Sequence, residues 1–365
     1  MEKDMGRMDQ PPALQTKRAA LLCRTVLLPA AMALAACTTQ FPPSQPESVI
    51  IEPQVSAADQ ATLRSLISHQ DRLYRVAGPL LVNNPDLCKG NARNLLGFTA
   101  KNKYSYSAEL VQAAQTLFGL GDRLQIMGVL VGSGASRVGL RRDDQLIEAE
   151  GHALPQGPNA EREAAAMLTP LVGTSPSIRL TVLRAGANTV LNVPLTRACA
   201  YSIELGNVDT VNAYDDGRRV MITRGMMNFA QTDEELAYVL AKEMAHNSLG
   251  HAGKQNMSAT VGGIIDNLIR IRPDLTTLAG TSGVRPMPQE LDAAADTLSL
   301  YMLARAGYNV DRAARFWEKL ANQYPRTVLN GYTAIHPSTA FRLSVMARIV
   351  ADVKAKQAGR KPLSP

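Results

Sequence analysis

Long hydrophobic runs are scarce in this chain. One apolar run extends from Thr25 to Ala36, and at about a dozen residues it is too short for a bilayer core that needs roughly 20. No other segment is long and apolar enough to span a membrane. Because Lys17, Arg18 and Arg24 precede the run, residues 1–36 are predicted to be a targeting segment that is not part of the fold.

A concentrated basic surface is also missing. The formal net charge is +7 over 365 residues, and much of the excess lies in a C-terminal tail that holds Lys354, Lys356, Arg360 and Lys361. The body of the chain is nearly neutral. Without a basic face that is interleaved with aromatic residues, the sequence argues against nucleic-acid binding.

Aromatic residues make up only 5% of the chain, whereas Ala and Leu are abundant, a composition that favours helices. Hydrophobic residues account for 45% and charged residues for 19%, as in an ordinary globular protein. A chain of 365 residues can hold two modest domains.

Cysteine is rare, with four in the whole chain. Cys23 lies in the targeting segment, and Leu34-Ala35-Ala36-Cys37 resembles the bacterial lipobox, in which the cysteine is lipidated. Cys88 and Cys199 remain, and an even pair in an oxidising compartment predicts a disulfide that closes a loop of about 110 residues. Two unpaired buried thiols are the alternative.

The lipobox resemblance implies a lipid anchor at Cys37, followed by a Pro-rich tether over residues 37–56. Because Thr38 is not Asp, the sorting pattern implies the outer membrane of a Gram-negative bacterium, on its periplasmic side. A secreted protein, or one anchored to a membrane without that sorting, is the alternative.

The segment from Glu235 to His251 is similar to a zinc-protease helix that lacks one ligand. A His-Glu-x-x-His helix presents two imidazoles at i and i+4 on one face, with the Glu beside them as general base. Here Glu243 and His246 hold the second and last positions, but Lys242 holds the first. Thr232 to Glu235 forms a predicted capping box that opens the helix. An ordinary amphipathic core helix with a buried histidine is the alternative.

Further segments match a family pattern in order. They comprise a strand-and-turn segment, a helix that contains a Glu-x-x-Ala-Asp-like stretch, a Tyr-rich segment and a late His-Pro turn, at residues 211–227, 289–296, 301–308 and 336–342. Together with the 235–251 helix they resemble the gluzincin zinc metallopeptidase family that includes HtpX, BepA and the prenyl-CAAX endoprotease. The resemblance covers roughly the last 160 residues.

This resemblance implies Glu243 as catalytic base and His246 and Asp292 as metal ligands, with Lys242 at the lost first-ligand position. The family's zinc is predicted to be absent or weakly bound here, because an ammonium has no lone pair for a metal and repels it. Lys242 is predicted to take the place of the ion and to pair with Glu243 or Asp292; a solvated surface lysine is the alternative. His336 is a catalytic candidate that binds substrate or stabilises an oxyanion, or else a turn residue held by Pro337.

His251 follows His246 by five residues and is rotated by about 140° round the helix, so it is not predicted to be a ligand. The position of His251 at the end of the helix favours a capping or packing role instead.

A second module precedes this domain. Residues 124–130 read as a strand, and residues 177–183 and 189–194 as a hairpin around a turn that contains Gly186. The order of strands and Gly-containing turns resembles a bacterial PDZ module, which implies either a groove for an extended peptide or a spacer without a ligand.

The predicted fold class is α+β: a mostly helical gluzincin metallopeptidase domain with a short edge-strand element, plus a small PDZ-like β-rich domain. The predicted boundaries are 57–118 for the helical N-terminal part, 119–197 for the PDZ-like domain, 198–350 for the metallopeptidase-like domain and 351–365 for a basic flexible tail.

The predicted function is envelope protein quality control by a pseudoprotease or chaperone-like binder of unfolded or envelope proteins. An active zinc metalloendopeptidase and a PDZ-like peptide-binding scaffold are the alternatives.

Overall fold

A computed structural model describes residues 56–275, 284–325 and 332–365. The predicted signal peptide at 1–36, the lipidation site Cys37 and the tether up to residue 55 lie outside the described residues. Within the described ranges, no helix combines the length and the apolar character that crossing a membrane requires.

The described elements alternate between a β-rich region and a helical region. The helices are α1 (Ala57–Val82), α2 (Val111–Phe118), α3 (Gly134–Arg137), α4 (Ala160–Thr174), α5 (Arg224–Phe229), α6 (Asp233–Leu249), α7 (His251–Lys254), α8 (Ser258–Leu268), α9 (Gln289–Arg305), α10 (Ala313–Gln323), α11 (Tyr332–Ile335) and α12 (Ala340–Ala358). The strands are β1 (Ala92–Leu95), β2 (Phe98–Lys101), β3 (Gln125–Val129), β4 (Gln145–Ala149), β5 (His152–Ala153), β6 (Ser177–Arg184), β7 (Ala187–Pro194), β8 (Thr196–Cys199), β9 (Ser202–Gly206), β10 (Ala213–Asp215) and β11 (Arg219–Thr223).

The β-rich region is a six-stranded sheet in the order β2-β3-β4-β6-β7, with β5 paired to β4. Strands β6 and β7 form an antiparallel hairpin from Ser177↔Pro194 to Arg184↔Ala187. The turn uses Ala185 and Gly186, both at positive φ, the geometry that joins tightly twisted strands. The predicted hairpin is therefore confirmed.

The predicted boundary at residue 119 is wrong in one respect. The interval 57–118 was expected to be helical, but β1 and β2 lie within it, and β2 pairs with β3 as the terminal strand of the six-stranded sheet. Each of these strands has only four residues and its partner lies far along the chain. Such short strands carry too few residues to show an alternating pattern, so their pairing is fixed by tertiary contacts.

The helical region packs α6 at its centre, against α9, α1 and α10. Most of α6 is buried, including both its apolar residues and Lys242, Glu243 and His246. A three-stranded sheet in the order β10-β11-β9 flanks α6, with β9 parallel to β11 and β10 antiparallel to it. This arrangement gives the predicted short strand element beside the helix.

The ends of the chain segment that carries the six-stranded sheet are joined covalently. Cys88 follows α1, Cys199 ends β8, and the two form a disulfide with their Cα atoms 5.6 Å apart.

The predicted flexible tail at 351–365 is partly wrong, because α12 continues to Ala358. Within α12, Lys356 Nζ donates to the carbonyl of Ser364 and to the hydroxyl of Tyr301, which fixes the last residues against α9.

Candidate functional site

Helix α6 begins and ends through local interactions that the sequence predicted. The side chain of Thr232 accepts the backbone N–H of Glu235, and Glu235 reaches back to the backbone N–H of Thr232, which completes a capping box. Gly250 ends the helix in the left-handed conformation at φ 69°. These two ends fix the register of the helix, and Lys242, Glu243 and His246 lie in its fully buried part.

Helix α9 packs against α6 and contributes two carboxylates beside its buried polar residues. Asp292 and Asp296 are one helical turn apart, so both point from one face of α9. Both side chains are buried, with exposed fractions of 0% and 1%. Two buried carboxylates require compensating positive charge.

Lys242 supplies part of that charge. Its Nζ lies 3.1 Å from Asp292 Oδ1 and 3.1 Å from Asp296 Oδ1. It also lies 5.1 Å from the centre of the Trp317 ring, within range of a cation–π contact. The angles do not make a well-aligned hydrogen bond to either carboxylate among the described residues, so the contact is an ion pair held by charge and distance.

Two imidazoles meet the same oxygen of Asp292. His246 Nε2 lies 3.2 Å from Asp292 Oδ1, and His336 Nδ1 lies 2.8 Å from it. The other ring nitrogen of His246, Nδ1, lies 2.8 Å from Nδ1 of His251. Burial lowers the pKa of His246 and of His336, and the neighbouring Asp292 opposes this shift.

Arg342 completes the ionic network. Its guanidinium donates through Nε and Nη2 to the two oxygens of Asp296, at 2.7 and 3.0 Å. Its Nη1 donates to the carbonyls of His336 and Pro337, at 3.2 and 2.7 Å, which holds the turn that carries His336. Burial alone would raise the pKa of Asp292, but the charge of Lys242 and the two imidazoles hold it well below its usual range.

Glu243 lies in the same buried site, next to Tyr332 and His336. Its Oε1 accepts a hydrogen bond of 2.9 Å from the hydroxyl of Tyr332 and lies 3.9 Å from His336 Nε2. Burial raises the pKa of Glu243. Asp215, at the end of β10, is buried beside it, and burial together with the charge of Glu243 raises the pKa of Asp215 well above its usual range. A buried carboxyl pair of this kind is destabilised when both members are ionised.

The structure thus brings together all five positions that the sequence singled out in this domain. They are Lys242, Glu243, His246, Asp292 and His336. Their catalytic and metal-binding roles remain predictions. His251 is placed beside His246 and is not among the residues that converge on Asp292.

Sequence reasoning assigned no role to several residues of the site, namely Asp215, Asp296, Trp317, Tyr332 and Arg342. One signal was available, because Asp296 follows Asp292 at i+4 and therefore shares its face. The others come from distant segments and have no such local pattern.

The site lies in a part of the chain with a known family pattern. Residues 181–350 match Peptidase family M48. The match runs from β6 to α12 and includes every residue of the site. It confirms the resemblance to zinc metallopeptidases at the level of this family, whose members depend on zinc.

Individual proteins are more distant. The mitochondrial metalloendopeptidase OMA1 of Arabidopsis thaliana is 25% identical over 153 residues, which are 41% of this chain and 31% of that protein. The chain therefore spans about a third of the length of this curated relative.

Among solved structures, the HtrA3 PDZ domain bound to a phage-derived ligand is 15% identical and matches 29% of this chain and 88% of its own, with a TM-score of 0.22. The HtrA-type protease AlgW with a decapeptide is 24% identical and matches 29% of this chain and 30% of its own, also with a TM-score of 0.22.

The donors present can be tested against the family's zinc. His246, Asp292 and His336 each offer a ligand atom, and these atoms lie within 4.8 Å of one another. Two imidazoles and a carboxylate form a suitable ligand set for zinc. Lys242 opposes it, because its ammonium lies 3.1 Å from the carboxylate oxygen that the ion would need.

The size of that opposition follows from Coulomb's law. An ion bound about 2.2 Å from Asp292 Oδ1 would lie at most about 5.3 Å from the ammonium, where a dication and a monocation repel by about 6 kcal/mol at an effective dielectric constant of about 20. While Lys242 carries its charge, the site does not fit zinc.

Proposed function

We propose that this protein is a catalytically silent relative of the M48 peptidases that binds proteins of the cell envelope without cleaving them. The observation that carries the proposal is the ammonium of Lys242, buried at 0% exposure and ion-paired to Asp292 and Asp296 where the family would hold its metal. In this position the lysine neutralises the buried carboxylates that the ion would otherwise neutralise.

The other groups of the site support the same conclusion. Hydrolysis in this class requires a metal that acidifies water and polarises the substrate carbonyl. Glu243, the predicted base, already accepts a hydrogen bond from Tyr332 and has a raised pKa. Glu243, His246, Asp292 and His336 are all buried, at 3% exposure or less, so among the described residues none of these groups is open to a peptide bond.

A place for a client protein lies elsewhere. A cavity of about 960 Å³ is lined by α1, by β2 and β3, and by β9. Strands β2 and β9 are terminal strands of their sheets, and such edges accept an extended segment of another chain. Tyr74 and Glu204 line the cavity, and neither side chain has a hydrogen-bond or ion-pair partner among the described residues. We propose that this cavity binds an extended segment of an unfolded client.

The absence of catalysis is tested directly. Purified protein should contain well below one zinc per chain by elemental analysis, and it should cleave casein no faster than the Glu243→Gln variant. Metal-dependent cleavage that the substitution abolishes would show instead an active metalloendopeptidase. That second candidate is favoured by the convergence of His246, Asp292 and His336 within 4.8 Å.

Client binding has its own test. Val131 lines the cavity and is 50% exposed, so Val131→Glu should weaken the capture of reduced, carboxymethylated α-lactalbumin and the suppression of its aggregation at least fivefold. Val190 is 61% exposed on β7 and does not line the cavity, so Val190→Glu is the matched control. Equal binding by both variants would place the client elsewhere.

A substitution in the helical region distinguishes the remaining candidate from binding by the whole cavity. This candidate is a scaffold that binds peptides through its six-stranded, PDZ-like sheet alone. Glu204 lies on β9 and lines the same cavity as Val131. Glu204→Lys should weaken the same interaction if the cavity as a whole holds the client. A client that depends on Val131 but not on Glu204 would favour the scaffold.

The location is also a proposal. We propose that the protein is lipid-anchored through Cys37 and faces the periplasm, which the lipobox resemblance supports. Palmitate labelling of the full chain that is lost in Cys37→Ser, together with release of that variant from membranes, is the expected result.

A further inference from the structure

We infer that a second, smaller cavity beside the client cavity binds carboxylates, and so selects clients whose extended segment carries Asp or Glu next to its apolar residues. The smaller cavity has a volume of about 580 Å³ and is lined chiefly by α1, by α5 and by Arg142 before β4. The inference rests on the proposed function, because it takes the larger cavity of about 960 Å³ as the place where the client lies.

The two cavities adjoin along α1. Ile67, Asp71, Arg75 and Arg142 line both of them. The lining residues of α1 extend from position 64 to position 81, and a helix rises about 1.5 Å per residue, so this common wall is roughly 26 Å long. An extended segment of about eight residues covers that length at about 3.3 Å per residue. A client segment in the larger cavity can therefore continue into the smaller one.

Arginine dominates the charged lining of the smaller cavity. Arg64, Arg72, Arg75 and Arg142 contribute four guanidinium groups, and Asp71 is the one acidic side chain among the described residues that line it. A guanidinium binds a carboxylate through paired N–H donors. The lining therefore favours an acidic segment over a neutral or basic one.

Part of the donor capacity is used within the protein. Arg72 donates to Asp233 and to three backbone carbonyls, so its role is to hold the wall of the cavity. Arg75 contacts the same carboxylate through Nε and Nη2 and is 57% exposed. A guanidinium has five N–H donors, so Arg75 retains donors for a ligand.

Asp71 shows how an acid is held in this cavity. Its carboxylate accepts a hydrogen bond from Nη2 of Arg142, and the two side chains are 43% and 36% exposed. Burial raises the pKa of Asp71, although the charge of Arg142 opposes this shift. The place is thus partly closed to water and already pairs a carboxylate with a guanidinium. A carboxylate of the client would compete with Asp71 for Arg142.

The experiment measures the fluorescence anisotropy of three labelled peptides with capped ends. They share the stretch Val-Thr-Val-Leu-Val and end in three Asp, three Asn or three Lys residues. The Asp peptide should bind the unmodified protein about fivefold more tightly than the Asn peptide, as expected for a few partly exposed charge pairs. The Lys peptide should bind more weakly than either. The preference should shrink in 1 M NaCl, where the Debye length falls to about 3 Å.

Substitutions assign the preference to the smaller cavity. Arg64→Gln and Arg142→Gln should each reduce it to about twofold or less without changing the binding of the Asn peptide. Asp71→Asn should instead strengthen binding of the Asp peptide about threefold, because the internal competitor is removed. Arg162→Gln is the matched control, since Arg162 lies on α4, is 77% exposed and lines neither cavity.

The outcomes separate the inference from the proposed function. Equal binding of the Asp and Asn peptides, weakened in both cases by Val131→Glu, would overturn the inference and leave client binding in place. An Asp preference that survives both Arg64→Gln and Arg142→Gln would also overturn it. Failure of every peptide and of carboxymethylated α-lactalbumin to bind would overturn the proposed client binding together with the inference.

A membrane ligand is tested in the same assay. Vesicles of phosphatidylglycerol that displace the Asp peptide, where phosphatidylcholine vesicles do not, would assign the arginines to lipid phosphate and overturn the inference. Circular dichroism establishes the fold of each variant. If Arg142→Gln does not fold, Arg142→Lys replaces it and should retain the charge but lose part of the preference, because a lysine lacks the paired donors.

Discussion

At the scale of single residues, Asp296 is a structural anchor in the described site. It accepts two hydrogen bonds from Arg342 and lies 3.1 Å from Lys242 Nζ, so one carboxylate compensates two buried cations. Removal of one partner from a buried ion pair leaves an uncompensated charge, whereas exposed pairs contribute little.

Asp296→Asn should therefore lower the free energy of unfolding by about 3–5 kcal/mol. Asp311→Asn is the matched control, because Asp311 pairs with Lys354 on the surface with about half of each side chain exposed; it should change stability by less than about 1 kcal/mol. Urea unfolding followed by Trp317 fluorescence measures both. A small effect of Asp296→Asn would mean that Arg342 and Lys242 find other partners.

The sequence was sufficient to predict the site residues whose positions are set by helical spacing. Lys242, Glu243 and His246 share one helix, and the resemblance to a known family added Asp292 and His336. Tyr332 and Asp215 could not be predicted to belong to the site, because their contacts with Glu243 depend on how α11 and β10 pack against α6. The segments that contain Tyr332 and Asp215 have no periodic pattern that would indicate this packing.

At the scale of elements, the segments with strong local signals were predicted well. The capping box of α6 and the β6–β7 hairpin are determined by neighbouring residues. Strands β1 and β2 were missed, because their partners β8 and β3 are selected by tertiary structure.

Gly225 shows a different constraint on an element, since it lies in the first turn of α5 where the chain leaves β11. A Cβ at this position would lie 2.2 Å from the carbonyl oxygen of Asp209 and 2.5 Å from that of Thr210. Both contacts are with backbone atoms, so α5 has to shift to admit a methyl group.

Gly225→Ala should consequently lower the free energy of unfolding by about 1–3 kcal/mol or more, as overpacking does elsewhere. Gly253→Ala in α7 is the control, because a Cβ there meets nothing within 4 Å, and it should be neutral or stabilising by up to about 1 kcal/mol. Thermal unfolding of the two variants side by side tests the difference. Equal stability would show that the β11–α5 connection yields easily.

At the scale of the whole molecule, stability should fall in mild acid. Burial, with the charges of His246 and Lys254, lowers the pKa of His251 from 6.5 to about 3. Between pH 6.5 and about pH 3, His251 therefore binds a proton in the unfolded chain but not in the folded chain. Because proton binding then favours the unfolded chain, stability is lost as the pH falls through this window. The slope for one such group is at most about 1.4 kcal/mol per pH unit.

His246 and His336, whose pKa values are also lowered, add to the slope in the same direction. His251→Gln should reduce the pH dependence of the unfolding free energy between pH 6.5 and 4 by up to the contribution of one bound proton. Urea unfolding at several pH values measures this slope. An unchanged slope would show that His251 takes up a proton in the folded protein as readily as in the unfolded chain.

The disulfide acts on the same scale, because it joins residues 111 positions apart. Cys88→Ala/Cys199→Ala should lower the free energy of unfolding by about 4–5 kcal/mol, the value expected for a loop of this length. Reductant should have the same effect on the unmodified protein and none on the double variant. Insensitivity of the unmodified protein to reductant would contradict the expectation.

The placement of that bond also bears on how force passes through the molecule. The sheet-bearing segment leaves and rejoins the helical region at two points whose Cα atoms are 5.6 Å apart, a distance that a linker of two residues can cover. The bond makes this segment a loop closed at its own base, so a stretched or partly unfolded sheet would transmit little force to α6 and α9.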